Sequence, residues 1–364
     1  MTWILDGVMN GEEMMDFNLL DFGDEFNSKL CDRVTNVLKS SYWSGGENIK
    51  NIEKKFSEIY EMNAISCASG GIALEIIAKV FKNIKKIGVQ SNTYFASILP
   101  WINRNKEIVL IGTKDKALTP SLELVKEVIN EGVDAILLTH IGGYPIPEIK
   151  EITEYCKKNN TLLIEDCAHA PLTKINGKLV GSFGDASILS FFPTKPIPAG
   201  EGGMLLLKSK ELADESLRIR DYGKVSKNGR ILHKLPALSN GRLNEFSAAI
   251  VSVFLENYSY ISKKREKIYK LYNSLIPEGS IYQYQNNFHQ EISFYKYITF
   301  LKSSKYKVSG VYDSDNQLYS ILKENDINFT FIGDNPLGVE HLCLPFYPSM
   351  SESDVKKVVN NIDF

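Results

Sequence analysis

AILLTHIGGYPIPEIKEITEYCKKNNTLLIEDCAHAP, residues 135–171, holds two apolar runs with an amphipathic stretch between them. AILLTH (135–140) and TLLIED (161–166) are short and mostly apolar, as strands buried on both faces are. PEIKEITEYCKKNN (147–160) sets Ile149, Ile152 and Tyr155 at helical spacing among polar residues. Strand, helix and strand in that order predict a crossover between parallel neighbours in one sheet.

Outward from this stretch the same alternation runs from residue 65 to about residue 207. IGVQS (87–91), EIVLIG (107–112), ASILSFF (186–192) and GGMLLL (202–207) read as further buried strands, and PSLELVKEVINEG (120–132) as another amphipathic segment. The pattern predicts an α/β domain with a mainly parallel sheet. Past residue 245 the texture changes. Residues 245–277 read as one or two long helices, and FYKYITFLKSS (294–304) as an alternating strand. SESDVKKVVNNI (351–362) opens with a capping box, Ser351 with Asp354, ahead of Val355, Val358, Val359 and Ile362. The expected division is a large domain over 1–245 and a smaller α+β domain over 246–364.

Composition bounds the function. The chain has 364 residues, a formal net charge of −2 and scattered lysines, so nothing draws it to nucleic acid or an anionic membrane. No run reaches the ~18 apolar residues that a membrane span needs. Its five cysteines are odd in number and lack a C-x-x-C pair, which argues against a disulfide framework or a structural zinc site. The first residues carry acidic groups where a secretory signal would be basic, and the expected compartment is the cytoplasm.

A parallel sheet binds ligands at the carboxyl ends of its strands. The residues to inspect are therefore His140, Asp166 and Lys195, each just beyond a predicted strand. Asp166 ends a buried strand, where a charge needs a partner. That partner could be a protonated pyridine nitrogen, or a helix cap or structural ion pair. Lys195 follows an apolar run, stands among prolines and leads to a glycine-rich turn; semi-buried lysines of this kind become Schiff-base nucleophiles. Ser69, Gly70 and Gly71 open a helical run, IALEIIAKV, so backbone N–H groups and the helix dipole could hold a phosphate. Taken alone, the triplet is an ordinary turn. Ser190 could reach the same phosphate. His169 could contact the cofactor ring or be a satisfied core histidine. A metal at Asp166, Cys167 and His169 has no second ligand group at a recognised spacing and is not expected.

Together these stretches resemble the fold-type-I, pyridoxal-phosphate-dependent sugar aminotransferases of the DegT/DnrJ/StrS family. KSSYWSGGENIKNIEKKFSEIY (39–60) resembles the family's entry segment, SGGIALEI (69–76) its phosphate turn, and SNTYFAS (91–97) its aromatic segment. THIGGYP (139–145), IEDCAHA (164–170), SFFPTKPIPAGEGG (190–203), SNGRLNEFSAAI (239–250) and LCLPFYPSMSESDV (342–355) resemble its remaining motifs in order. The resemblance implies a mostly parallel seven-stranded sheet and pyridoxal 5'-phosphate held as a Schiff base by Lys195. It implies that Asp166 pairs with the ring nitrogen, His169 sits beside the ring and Tyr94 stacks on it. Ser69, Gly70, Gly71 and Ser190 hold the phosphate, and Asn240 reaches the phosphate of a neighbouring subunit, so a homodimer with shared active sites is expected. A sugar-dehydratase branch carries His where this chain has Lys195, and the lysine argues for transamination. Two departures are Gly71, where the family usually has Thr, and the short IGDNPLGVEH (332–341) where it usually has a longer stretch.

The expected activity is transfer of an amino group from glutamate to a nucleotide-linked keto-deoxysugar in surface glycan biosynthesis. The same chemistry on a small phosphorylated ketone such as dihydroxyacetone phosphate is the alternative. A non-catalytic sensor that binds the cofactor is the third.

Overall fold

The structure, a computed structural model, describes residues 22–114, 117–280, 290–299, 303–304, 318–333 and 342–363. Two helices come first, α1 (Asp24–Ser40) and α2 (Glu47–Tyr60), then β1 (Asn63–Cys67) and α3 (Gly70–Val80). β2 (Lys86–Gln90), α4 (Leu99–Ile102), β3 (Glu107–Ile111), α5 (Leu122–Asn130), β4 (Ala135–Thr139), α6 (Ile149–Lys158) and β5 (Leu162–Asp166) follow. A small hairpin, β6 (Lys174–Ile175) and β7 (Lys178–Leu179), precedes β8 (Ala186–Ser190), β9 (Gly203–Leu207) and α7 (Lys210–Arg220). A second hairpin, β10 (Lys224–Lys227) and β11 (Arg230–His233), leads to α8 (Glu245–Glu256) and α9 (Tyr258–Leu275). The rest comprises β12 (Gln290–Glu291), β13 (Tyr297–Thr299), β14 (Ser303–Ser304), α10 (Leu318–Glu324), β15 (Thr330–Ile332), β16 (Leu342–Leu344), α11 (Glu352–Val359) and β17 (Ile362–Asp363).

Among the described residues the central sheet has eight strands, in the order β1-β9-β8-β5-β4-β2-β3-β15. Neighbours from β8 through β15 are parallel, while β9 runs against both β8 and β1. The sheet is thus mostly parallel as expected, with one strand more than the seven anticipated. The addition is β15, from the C-terminal stretch, paired in parallel with β3. Its sequence, TFI, is too short to announce a strand.

Both faces of the sheet are covered. Along β4, Ile136 and Leu138 pack with α5 and α6 residues such as Val128 and Ile152, and Ala135 and Leu137 pack with α3 residues such as Ile76. Strand alternation sends successive side chains to opposite layers, which is why the run is apolar throughout.

The C-terminal stretch is divided among several cores. Phe254 of α8 meets Phe26 of α1 at 4.9 Å between ring centroids. Glu245 at the start of α8 accepts the Asn48 and Ile49 N–H groups, capping α2. Leu318 and Leu322 of α10 join the cluster beneath the sheet. A separate cluster links Tyr272 of α9, Tyr297 of β13, Leu344 of β16, and Val355 and Val358 of α11. α11 begins with the expected capping box of Ser351 and Asp354.

Candidate active site

Three strand ends and one helix start converge. Ser69 caps α3 by accepting the Ile72 N–H, which leaves the first turn of the helix, Gly70 and Gly71, facing the strand ends. Gly203 pairs with Ser190 across β9 and β8. A Cβ on Gly203 would lie 2.5 Å from the Gly70 nitrogen, so only glycine lets β9 pass so close to the helix start. A Cβ on Gly70 would itself lie 3.4 Å from the Ser190 Cβ. The glycine turn and Ser190, far apart in sequence, therefore form one cradle of backbone N–H groups and a hydroxyl suited to a phosphate.

Asp166 ends β5 and is 4% exposed. Its Oδ1 accepts the Ala168 N–H at 3.0 Å and its Oδ2 the Ser97 hydroxyl at 2.8 Å. Hydroxyls continue from there: Ser97 to Thr93 at 3.1 Å, and Thr93 to Thr139 at 2.6 Å. This chain fixes the carboxylate's orientation. Burial pushes the Asp166 carboxyl above its ordinary range; the Ala168 and Ser97 bonds and the charges of Lys195 and His140 pull it back without cancelling that effect. A positive partner would restore the charged form.

His169 is buried, and its Nδ1 accepts the Gly142 N–H at 3.2 Å, so the neutral ring carries its proton on Nε2. Burial, with the charges of Lys195 and Lys296, holds it well below the ordinary histidine range. Tyr94 is 62% exposed at the head of the turn that carries Ser97.

Lys195 lies on a loop pinned at both ends, its N–H donated to the Phe192 carbonyl and the Ala199 N–H to that of Phe191. Its Nζ stands 5.1 Å from the centre of the Tyr295 ring. The Lys296 Nζ stands 5.0 Å from that same centre. Tyr295 shares a 3.2 Å hydrogen bond with Thr194 and packs against His169 at 4.5 Å between ring centroids. Ser97, Thr194, Tyr295 and Lys296 are not among the residues that the sequence marks as site candidates. Ser97 and Thr194 lie inside quoted motifs, but FYKYITF reads only as a strand.

A different cluster lies one residue from Asp166. Glu165 accepts N–H groups of Gly181, Phe183 and Gly184 at 2.8, 2.8 and 2.6 Å, and pairs with His140 Nε2 at 3.0 Å. Cys167 completes a group of three side chains of metal-ligating type. The Glu165 oxygens are already occupied, and burial pushes the Cys167 thiol up, against the thiolate a metal needs. The cluster is a brace between β4, β5 and the 181–184 loop.

Of the nine sequence-designated residues, Ser69, Gly70, Gly71 and Ser190 form the cradle, and Asp166 and His169 both lie within the field of the Lys195 charge. Tyr94 borders this group. Asn240 is exposed and its Oδ1 accepts the Arg242 N–H. It adjoins the cradle through Gly241, whose carbonyl accepts the Ala68 N–H. Residues 334–341 of the short IGDNPLGVEH stretch lie outside those described.

The aldehyde, phosphate and ring nitrogen of pyridoxal phosphate ask for an amine, an anion cradle and a buried carboxylate. Those three are present together.

GDP-perosamine synthase of Vibrio cholerae is 29% identical over 342 residues, 88% of this chain and 91% of that protein. The dTDP-3-amino-3,6-dideoxy-alpha-D-galactopyranose transaminase of Aneurinibacillus thermoaerophilus is 30% identical over 251 residues, covering 68% of each chain. The putative sugar aminotransferase Spr1654 of Streptococcus pneumoniae, solved in its PLP form, superposes with a TM-score of 0.82 at 18% identity, over 95% of this chain and 97% of that one. The profile of the DegT/DnrJ/EryC1/StrS aminotransferases matches residues 25–338. With its motifs in order, its sheet and its site assembled, the chain belongs to the DegT/DnrJ/EryC1/StrS aminotransferase family.

Proposed function

We propose that the protein uses pyridoxal 5'-phosphate to move an amino group from glutamate to a nucleotide-linked keto-deoxysugar, in surface glycan biosynthesis. The observation that carries the reading is the buried Asp166 within the field of Lys195, together with the start of α3 packed against Ser190. The sugar class rests on the relatives, which are named for GDP-linked and dTDP-linked amino sugars.

Pyridoxal phosphate, when bound, supplies a ring that draws electrons from the amino-bearing carbon. The rest is done by the chain. The Gly70–Gly71 turn and Ser190 hold the phosphate. Asp166, oriented by Ser97 and Ala168, would pair with the ring nitrogen and favour its protonated form. His169, neutral, would offer its Nε2 proton to the ring oxygen. Tyr94 would lie against one face of the ring. Lys195 Nζ would hold the cofactor between turnovers and, when free and neutral, would be the group that takes up and gives back a proton at the donor's α-carbon. In the second half-reaction it acts in the opposite sense on the acceptor.

We also propose that the active unit is a homodimer. Tyr42, Trp43 and Leu235 are 71%, 55% and 89% exposed in the single chain, and Asn240, next to the Gly241 that adjoins the cradle, is exposed as well. Five free thiols, four of them buried, suit a reducing cytoplasm.

Incubation of the chain with pyridoxal phosphate tests the lysine. A visible Schiff-base band should form, fade on adding glutamate, and be absent from Lys195→Ala. Turnover on a panel of nucleotide ketosugars and on dihydroxyacetone phosphate tests the acceptor. Activity on the latter alone would remove the sugar reading and leave the chemistry.

A further inference from the structure

Tyr295 comes from a segment 101 positions beyond Thr194 in sequence, yet it is 5% exposed and lies against three parts of the candidate site. Its neighbours are fastened on both sides. The Ser293 hydroxyl donates to the His169 carbonyl at 2.8 Å and the Ser293 N–H to the Thr173 hydroxyl at 3.0 Å. The Lys296 N–H donates to the Gly142 carbonyl at 3.1 Å, and Arg265 to the Phe294 carbonyl at 3.0 Å. Phe294, the residue before, takes a left-handed φ of 48°. That conformation is strained for an aromatic residue and persists only where its surroundings hold it. On the opposite side, a Cβ on Gly143 would lie 3.1 Å from the Tyr295 Cβ and 2.5 Å from the Ser293 hydroxyl, so the glycine admits the segment. The ring's place is thus set by bonds to the loops after β4 and β5.

An ordinary core aromatic would face apolar neighbours. This one faces the ammonium groups of Lys195 and Lys296, Arg265, the neutral His169 and the Thr194 hydroxyl. A cation over an aromatic face is held by the ring's electrons. The hydroxyl, bonded to the residue next to Lys195, holds the loop itself.

We propose that Tyr295 is a positioning residue for Lys195: its ring seats the lysine's ammonium and its hydroxyl, through Thr194, fixes the loop that carries the lysine. The seat matters once the freed lysine has taken up a proton, because a long charged side chain released from covalent attachment loses its aim unless something holds it. This inference rests on the role proposed above for Lys195, but not on the acceptor. The state of the hydroxyl agrees with it: burial raises its pKa, yet the charges of Lys195 and Lys296, the Thr194 bond and Arg265 together bring it down to about 8.

Two measurements test the proposal. The first is ultraviolet titration of the cofactor-free chain, which needs neither substrate nor turnover. A tyrosinate transition near pH 8 should be present in the wild type, absent from Tyr295→Phe, and moved to higher pH in Lys195→Met. A transition unmoved in Lys195→Met would overturn the proposal, whatever the enzyme's substrate proves to be. The second is kinetics of the loaded enzyme. Tyr295→Phe keeps the ring and should lower kcat about fivefold, and Tyr295→Leu should lower it roughly fiftyfold, with KM for glutamate within about twofold in both. An unchanged kcat in Tyr295→Leu, or a rise in KM with kcat preserved, would also overturn it. If Tyr295→Leu fails to fold, Tyr295→Phe and the Lys195→Met titration decide.

Discussion

Glu165 and Asp166 are adjacent carboxylates at the end of one buried strand, and their surroundings treat them in opposite ways. Strand alternation turns them to opposite faces of the sheet. Glu165 is closed in by three backbone N–H groups and His140. Burial pushes its carboxyl up, but the His140 bond and charge and the backbone bonds outweigh this, and it ends below the ordinary range. Asp166 has one backbone N–H and one hydroxyl, and burial leaves its carboxyl raised. A saturated carboxylate is a structural brace, whereas a carboxylate kept short of partners is poised to take a cationic one.

The contrast can be broken at either residue. The largest effect is expected from Asp166→Asn, which should lower kcat on the order of a thousandfold, the scale of losing a preorganised charge in an active site. Its melting temperature should hold or rise. A raised carboxyl is one whose unfolded form ionises first, so at neutral pH the charged group works against folding and its removal does not. A large fall in melting temperature would place Asp166 with the braces instead.

Glu165→Ala should do the reverse. It strands the Gly181, Phe183 and Gly184 N–H groups and His140, which should lower stability by about 3 kcal/mol or more in a denaturant titration. The kcat of the fraction still folded should stay within a few-fold of wild type. Loss of kcat without loss of stability would erase the distinction between the two residues.

The smallest effect sharpens the comparison through pH. His169 is held below its unfolded range, so the unfolded chain binds the proton first as pH falls. Stability should therefore be intact above about pH 6.5 and decline below it, by about 1.4 kcal/mol per pH unit for this one group. In His169→Gln that part of the acid slope should vanish, read from melting curves between about pH 6.5 and 5. An unchanged slope would mean that His169 is already charged in the folded chain.

Much of this was legible beforehand, for reasons that differ by element. β4 and β5 fall within a residue of the runs that predict them, because a strand covered on both faces must be apolar from end to end. α8 and α9 resolve as two helices in the stretch read as one or two. β15 escaped because a three-residue strand carries no periodicity and takes its identity from pairing with β3. In the site, Lys195, Asp166 and the glycine turn were visible as chemistry-bearing groups at strand ends. Tyr295 was not, since nothing in FYKYITF distinguishes a tyrosine under two ammonium groups from one in a core. Nor does Asn240 betray where its side chain leads, because in the single chain it lies at the surface.

What the sequence by itself determined is therefore the alternation of strand and helix, the family, and which residues could bear the chemistry. These depend on local pattern and on residue type. Only the tertiary structure decided how the two neighbouring carboxylates are surrounded, Glu165 by three backbone N–H groups and His140, Asp166 by one N–H and one hydroxyl, and that the Lys195 ammonium lies over the Tyr295 ring. Desolvation and hydrogen bonding depend on groups far apart in the chain, such as Gly181 with Glu165 and Tyr295 with Thr194, and folding alone brings them together.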